Sequence, residues 1–166
     1  MHRFKAAVFG TGFVGRVHLE GIRRLGYVQV YAIGESEVEK AARLGAEFQV
    51  EKIDSDYRRI LEDPAVDAVH ICTPNFMHFP MAKDALQAGK HVICEKPLAT
   101  SVEEARALVA LAGQTQRGAG GQHALGHLAA QSFHHFGQFA ALAQSLAHSP
   151  VAAQGPRAGK HQISHA

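Results

Sequence analysis

Cysteine is scarce in this chain of 166 residues: Cys72 and Cys94 stand alone, with neither CxxC nor zinc-finger spacing. That excludes a disulfide framework and a thiolate metal site, and leaves two free, reduced core thiols, each at the end of a predicted buried strand. No apolar run is long enough to span a membrane, and the N-terminus has neither an apolar h-region nor a cleavage site. The default expectation is a soluble cytoplasmic protein. A net charge of +2, with no basic cluster and no stripe of stacking aromatics, argues against nucleic acid as a partner.

A second scarcity is regional. Residues 1–117 hold 15 Lys/Arg and all 15 Asp/Glu, and no acid follows Glu104. Residues 118–166 offer only Arg157 and Lys160 as bases, yet seven of the 12 histidines. Globular domains ordinarily carry about a quarter charged residues. The expected division is therefore a domain over 1–117 and an atypical tail over 118–166 with no recognisable domain.

What the first part has is alternation. The apolar run Phe4–Phe9 ends at a glycine turn and reads as a buried parallel strand. Val14, Val17, Leu19, Ile22 and Leu25 follow at roughly helical spacing, with Gly26 as a stop. Strands are predicted over 28–33, weakly around 48–50, over 66–72 and over 91–94. Helices are predicted from Ser36 to Leu44 with Gly45 closing, from Asp54 or Ser55 to Leu61, over 79–88 and over 101–112. The last opens with the capping-box pattern Ser101-Val102-Glu103-Glu104. Five β-α alternations predict an α/β fold with a doubly wound parallel sheet of the Rossmann type. In the tail, Leu125, Leu128, Phe136, Phe139, Leu142 and Leu146 approximate one helical face. They predict a helix within 123–147, weakened at Gly126 and Gly137 by about 1 kcal/mol each.

The chemistry concentrates at strand ends. Gly10-Thr11-Gly12-Phe13-Val14-Gly15 follows the first strand and opens a helix, the context a dinucleotide-binding GxGxxG requires. Gly10 permits the turn, Gly12 lets a pyrophosphate reach the backbone, and Gly15 lets the helix pack close. The helix N-terminus offers N–H groups to the phosphates. A glycine turn without ligand and an S-adenosylmethionine pocket are the rival readings. Glu35, at the end of the second strand, can accept from the ribose hydroxyls and repel a 2′-phosphate, which favours NAD over NADP. Its plainer reading is an acid that opens a helix. Thr73-Pro74-Asn75 and Glu95-Lys96-Pro97 end two further strands and should face the same crevice. A lysine there can hydrogen-bond a substrate oxygen and help move its proton.

The runs Thr73-Pro74-Asn75-Phe76-Met77-His78, Ala88-Gly89-Lys90-His91-Val92 and Glu95-Lys96-Pro97-Leu98-Ala99 resemble the glucose–fructose oxidoreductase/inositol dehydrogenase/rhizopine-catabolism (Gfo/Idh/MocA) family. Residues 10–15 and 67–72 fit the same pattern, and the likeness covers about 4–114. The resemblance implies an N-terminal Rossmann domain binding NAD or NADP, and hydride transfer to or from a hydroxyl-bearing carbon of a sugar or cyclitol. It implies Lys96 as the active-site lysine, with Glu95, Thr73, Pro74 and Asn75 holding the nicotinamide half. His78 would order its own turn, and Pro97 would follow a cis peptide. His18, His70 and His91 read as packing or surface residues.

The family's pattern continues with a sixth strand and a substrate domain bearing an Asp-x-x-x-His arrangement. Neither is expected in the tail, which has no aspartate, so the chain is expected to be truncated or out of the ancestral frame past about 115–118, and inactive alone; a new helical extension covering the edge left by the missing sixth strand is the competing account. A nucleotide-binding fragment without turnover is the alternative. His123, His127, His134 and His135 lack carboxylate or cysteine partners, so no metal site is expected.

Overall fold

The computed structural model describes residues 3–50, 52–118 and 128–131. Strand β1 (Phe4–Phe9) leads through the glycine turn into α1 (Phe13–Leu25). β2 (Val28–Gly34) and α2 (Val38–Phe48) follow, then β3 (Lys52–Asp54), α3 (Tyr57–Leu61) and β4 (Ala68–Ile71). A 3₁₀ turn (Asn75–Met77) runs into α4 (His78–Gln87), and β5 (His91–Glu95) and α5 (Val102–Gly118) complete the main body. All strand pairings are parallel, in the order β3-β2-β1-β4-β5-β6, where β6 is Leu128–Gln131. This is the doubly wound α/β sheet the alternation predicts.

Both faces of the sheet are covered, which is why its strands are apolar without alternation. Ala7 and Phe9 of β1 pack with α3, α4 and α5 residues such as Ile60, Leu86 and Leu108. Ala6 and Val8 face the other way, onto Leu19 and Ile22 of α1 and Leu44 and Phe48 of α2. Gly26 caps α1 in the left-handed conformation (φ 73°), as its position suggests. At the start of α5 the Ser101 hydroxyl accepts the Glu104 amide at 3.1 Å. The Glu104 carboxylate reaches past Ser101 to the Thr100 amide and hydroxyl, so the box is closed one residue earlier than expected.

Several boundaries differ from the sequence reading, α5 running to Gly118 where 112 was expected. Helix α2 runs through Gly45 to Phe48 and is capped by Gln49 in the left-handed region (φ 54°). Gly45 is small for packing: a Cβ there would stand 2.3 Å from Ile53 Cδ1. The third strand lies at Lys52–Asp54, not around 48–50, because Phe48 is needed on the buried face of α2. Helix α3 begins only at Tyr57, where the Asp56 carboxylate caps the Arg58 amide at 3.1 Å. A sixth strand exists: Leu128–Gln131 pairs in parallel with Val92–Glu95, where a helix was expected. The rest of the 123–147 helix expectation lies outside the described residues.

Lys90 owes its place to backbone satisfaction. It is buried, and its ammonium donates to the carbonyls of Asp63 (2.8 Å) and Val66 (2.9 Å) in the α3–β4 connection. Asp67 in that connection accepts the Lys5 amide at 2.7 Å, so one lysine fastens the loop that feeds β4. Replacement Lys90→Met keeps the stem and strands two carbonyls; we expect a loss on the order of 2 kcal/mol in denaturant unfolding, with dinucleotide affinity unchanged in the folded fraction.

Candidate functional site

Strand register builds the site. Phe9 is level with Gly34 and Ile71, Gly34 with Asp54, and Ile71 with Cys94. The next residues along each strand therefore line one rim: Gly10, Glu35, Ser55, Cys72–Thr73 and Glu95–Lys96. The turns are stitched across that rim by Gly10 N–H to Gly34 O (2.9 Å), Glu35 N–H to Asp54 O (3.2 Å) and Cys72 N–H to Phe9 O (2.8 Å).

The glycine turn has the geometry that its spacing implies. Gly10 sits at φ 82°, and a Cβ there would lie 2.7 Å from Cys72 O. A Cβ on Gly15 would lie 2.0 Å from Gly10 O, so helix and strand touch through bare backbone. Gly12 is different, since a Cβ would meet no protein atom within 4 Å. It caps α1 without a side-chain hydrogen bond, and no acid occupies the first turn. An open cradle at an uncapped helix N-terminus fits the pyrophosphate of a dinucleotide. Phe13 is 80% exposed beside it, and Val14 is half-buried.

Glu35 is gripped from several sides. One oxygen accepts the Thr11 amide (2.9 Å) and hydroxyl (2.5 Å) and lies 3.4 Å from the Lys40 ammonium. The other accepts the Ser36 hydroxyl and the Glu37 amide. Burial raises the carboxyl, but the Thr11 and Glu37 donors and Lys40 outweigh it and lower the pKa to about 2. The plainer role falls elsewhere: α2 starts at Val38 with Glu39 as its first-turn acid, and Glu35 instead orders the approach to the helix through the Glu37 amide while lining the cleft.

Gly10, Thr11, Gly12, Glu35, Thr73 and Pro74 line a common cavity of about 780 Å³, the size of a cofactor cleft. Its far wall was not anticipated: Ser55, Asp56, Tyr57 and Arg58, with Phe76, Met77 and Met81 opposite. The Tyr57 hydroxyl donates to Asp84 at 2.7 Å, and Arg58 reaches the same carboxylate at 3.3 Å while stacking on the Tyr57 ring. Once β3 is placed correctly, register alone sends its C-terminal loop to this rim.

Asn75, His78, Glu95, Lys96 and Pro97 are outside the lining of that cavity. Asn75 is exposed at the start of the 3₁₀ turn. His78 does more than order its own turn: Nε2 meets Thr73 O at 2.8 Å and Nδ1 meets Pro97 O at 2.7 Å, joining the two strand-end turns. Lys96 is exposed, and the peptide to Pro97 is cis, as expected. Glu95 is buried, with Oε1 3.0 Å from His18 Nε2 and Oε2 accepting the Lys96 amide at 3.3 Å.

Both cysteines are free, and burial raises both thiols, Cys94 to about 12, with Glu95 adding to the effect. Among the described residues no helix is long and apolar enough to cross a membrane, and no cluster of three or more His, Cys, Asp or Glu could hold a metal ion. The tail histidines lie outside the described residues.

Comparison with known proteins accords with this geometry. The family model for the Gfo/Idh/MocA oxidoreductases, NAD-binding Rossmann fold, matches residues 4–123. The levoglucosan dehydrogenase of Pseudarthrobacter phenanthrenivorans is 36% identical over 121 residues, 65% of this chain and 30% of that protein. A solved NAD binding oxidoreductase from Klebsiella pneumoniae superposes with a TM-score of 0.69 at 31% identity, over 78% of this chain and 34% of its own. A levoglucosan dehydrogenase in complex with NADH gives a TM-score of 0.63 at 34% identity, over 66% and 32% respectively. The chain thus spans about a third of the length of these relatives. Matched across most of its length and folded as the model describes, the chain belongs to the Gfo/Idh/MocA oxidoreductase family, within its NAD-binding Rossmann domain.

Proposed function

We propose that this chain is the cofactor-binding half of an oxidoreductase that moves hydride between a nicotinamide dinucleotide and a hydroxyl-bearing carbon of a sugar or cyclitol. The observation that carries the reading is the open Gly12 cradle and the Glu35 carboxylate sharing one cleft. The α1 N-terminus holds the pyrophosphate through its N–H groups, and Phe13 and Val14 border it. Glu35 accepts from the adenosine ribose hydroxyls. Its negative charge favours NAD over NADP, although Lys40 at 3.4 Å tempers that charge.

On the other side of the rim, the Thr73–Pro74–Asn75 turn and the Glu95–Lys96–Pro97 turn hold the nicotinamide half, and His78 keeps them at a fixed spacing. The dinucleotide supplies the hydride acceptor or donor. Lys96 hydrogen-bonds the reacting oxygen and holds or takes its proton, which its exposed position allows. Hydride transfer needs the reacting carbon about 3–3.5 Å from the nicotinamide, a placement that also needs a wall for the substrate. Lys96 stands outside the lined cavity, which favours a second reading: a dinucleotide-binding unit without turnover.

Fluorescence titration with NADH separates these readings from a ligand-free glycine turn. Gly12→Ala should fold as the parent does, since its Cβ meets nothing, yet bind NADH at least about tenfold more weakly by crowding the pyrophosphate. Gly15→Ala should instead lower the melting temperature, because Gly10 O blocks its Cβ. Saturable binding with no oxidation of inositol or glucose supports the binding unit. Turnover that Lys96→Ala abolishes, with NADH affinity held within about twofold, supports the enzyme.

Glu35 also makes a pH prediction. Its pKa is depressed in the folded chain, so its contribution to stability is complete above the ordinary value of 4.5 and fades as pH falls toward about 2. We expect unfolding free energy to drop over that window by on the order of 2 kcal/mol more in the parent than in Glu35→Gln.

A further inference from the structure

Behind the lysine turn lies a chain of ionisable groups that the reading above does not use. His18 in α1, His70 in β4 and Glu95 at the end of β5 are all buried, at 5%, 1% and 7% exposure. His18 Nδ1 is 2.8 Å from His70 Nδ1, and its Nε2 is 3.0 Å from Glu95 Oε1. The two rings meet edge-on, with centroids 5.1 Å apart. The contacts tie together the helix that carries the phosphate cradle, the strand leading to Thr73 and the strand leading to Lys96.

Proton bookkeeping gives the chain a direction. An ionised carboxylate only accepts, so His18 Nε2 carries a proton. Burial lowers the His18 pKa against the pull of Glu95, and lowers that of His70 well below the ordinary value with His18 adding to the effect, so burial disfavours charge on either ring. A neutral His18 protonated at Nε2 has a lone pair at Nδ1, and His70 must then donate to it from Nδ1. The order is His70 to His18 to Glu95. The carboxylate's other oxygen takes the backbone N–H of Lys96 at 3.3 Å. A buried carboxylate held by directed donors has little freedom to swing.

We propose that His18, backed by His70, is a positioning residue: it fixes the Glu95 carboxylate and so sets the lysine turn in register with the first turns of α1, where the nicotinamide half of the dinucleotide must lie. The inference rests on the dinucleotide reading and deepens it. His18 stands one helical turn beyond Gly15, so a shift of the lysine turn relative to α1 must break the Nε2–Oε1 contact. The adenosine half, held by Gly12 and Glu35 on the other side of β1, has no part in the chain.

The test compares two probes on the full chain. NADH and ADP-ribose share the adenosine, the pyrophosphate and the second ribose, and ADP-ribose lacks only the nicotinamide ring. Calorimetric titration of the parent, His18→Leu and His18→Gln should show tighter binding of NADH than ADP-ribose by the parent. His18→Leu should bind NADH about tenfold more weakly, the loss of one charge-assisted hydrogen bond, with ADP-ribose unchanged. His18→Gln, whose amide can replace the Nε2 donor, should recover most of the NADH affinity. Equal weakening for both probes, no weakening for either, or no preference for NADH in the parent would overturn the proposal. Absence of binding to both probes by the parent would instead defeat the dinucleotide reading. Should His18→Leu not fold, histidine side-chain ¹⁵N spectra of the parent decide the chain alone: protons on His18 Nε2 and His70 Nδ1 near neutral pH support it, and the opposite tautomers or charged rings exclude it.

Discussion

Parallel pairing in register is the constraint from which the rest of this molecule follows. Phe9, Gly34, Asp54 and Ile71 end their strands level with Cys94, one residue before the end of β5, so five loops leave the sheet along one line. The β1–β2 register shifts once, between Ala6 and Ala7, and a further one-residue slip at any pair would exchange the two buried faces of that strand and move its loop along the rim. The two cores resist such a slip, because Ala7 and Phe9 belong to one and Ala6 and Val8 to the other. Site geometry here is a by-product of core packing.

Polar groups then turn that rim into fixed distances, and they divide by task. Glu35 joins the glycine turn to the α2 entry, and His78 joins the two turns after β4 and β5. Lys90 works at the opposite end of the strands, just before β5, where it feeds donors to the loop entering β4. Motif residues at similar positions in the sequence therefore serve unlike ends: in the run from Ala88 to Lys96, Lys90 answers a backbone need while Lys96 is left exposed.

The sequence made the cradle, the strand–helix alternation and the rim legible, because each rests on local signals: an apolar run, a glycine turn, a stop. It was weaker wherever a long-range partner decides. Gly45 looks like a helix stop but is small to admit Ile53, and Phe48 looks like strand but completes the apolar face of α2. Misplacing the third strand hid the Ser55–Arg58 wall, since only register brings that loop to the cleft. Leu128–Gln131 carries an apolar spacing compatible with a helix, yet the open edge of β5 takes it as a strand. The His18–Glu95 contact spans 77 positions, and neither residue announces the other.

Lys96 stands at the edge of what this arrangement secures. Its side chain is exposed, whereas the residue before it is buried and the carbonyl after it is bound by His78. The backbone of the turn is thus held at both ends, and the ammonium is left to answer whatever group faces it. Such a division suits a group that must meet a reacting oxygen: the origin of the side chain is fixed by buried bonds, and the charged end keeps its solvation and its reach. It also separates two losses that a single assay would merge. Damage to the buried bonds moves the turn, while removal of the ammonium leaves the turn in place and takes away its charge.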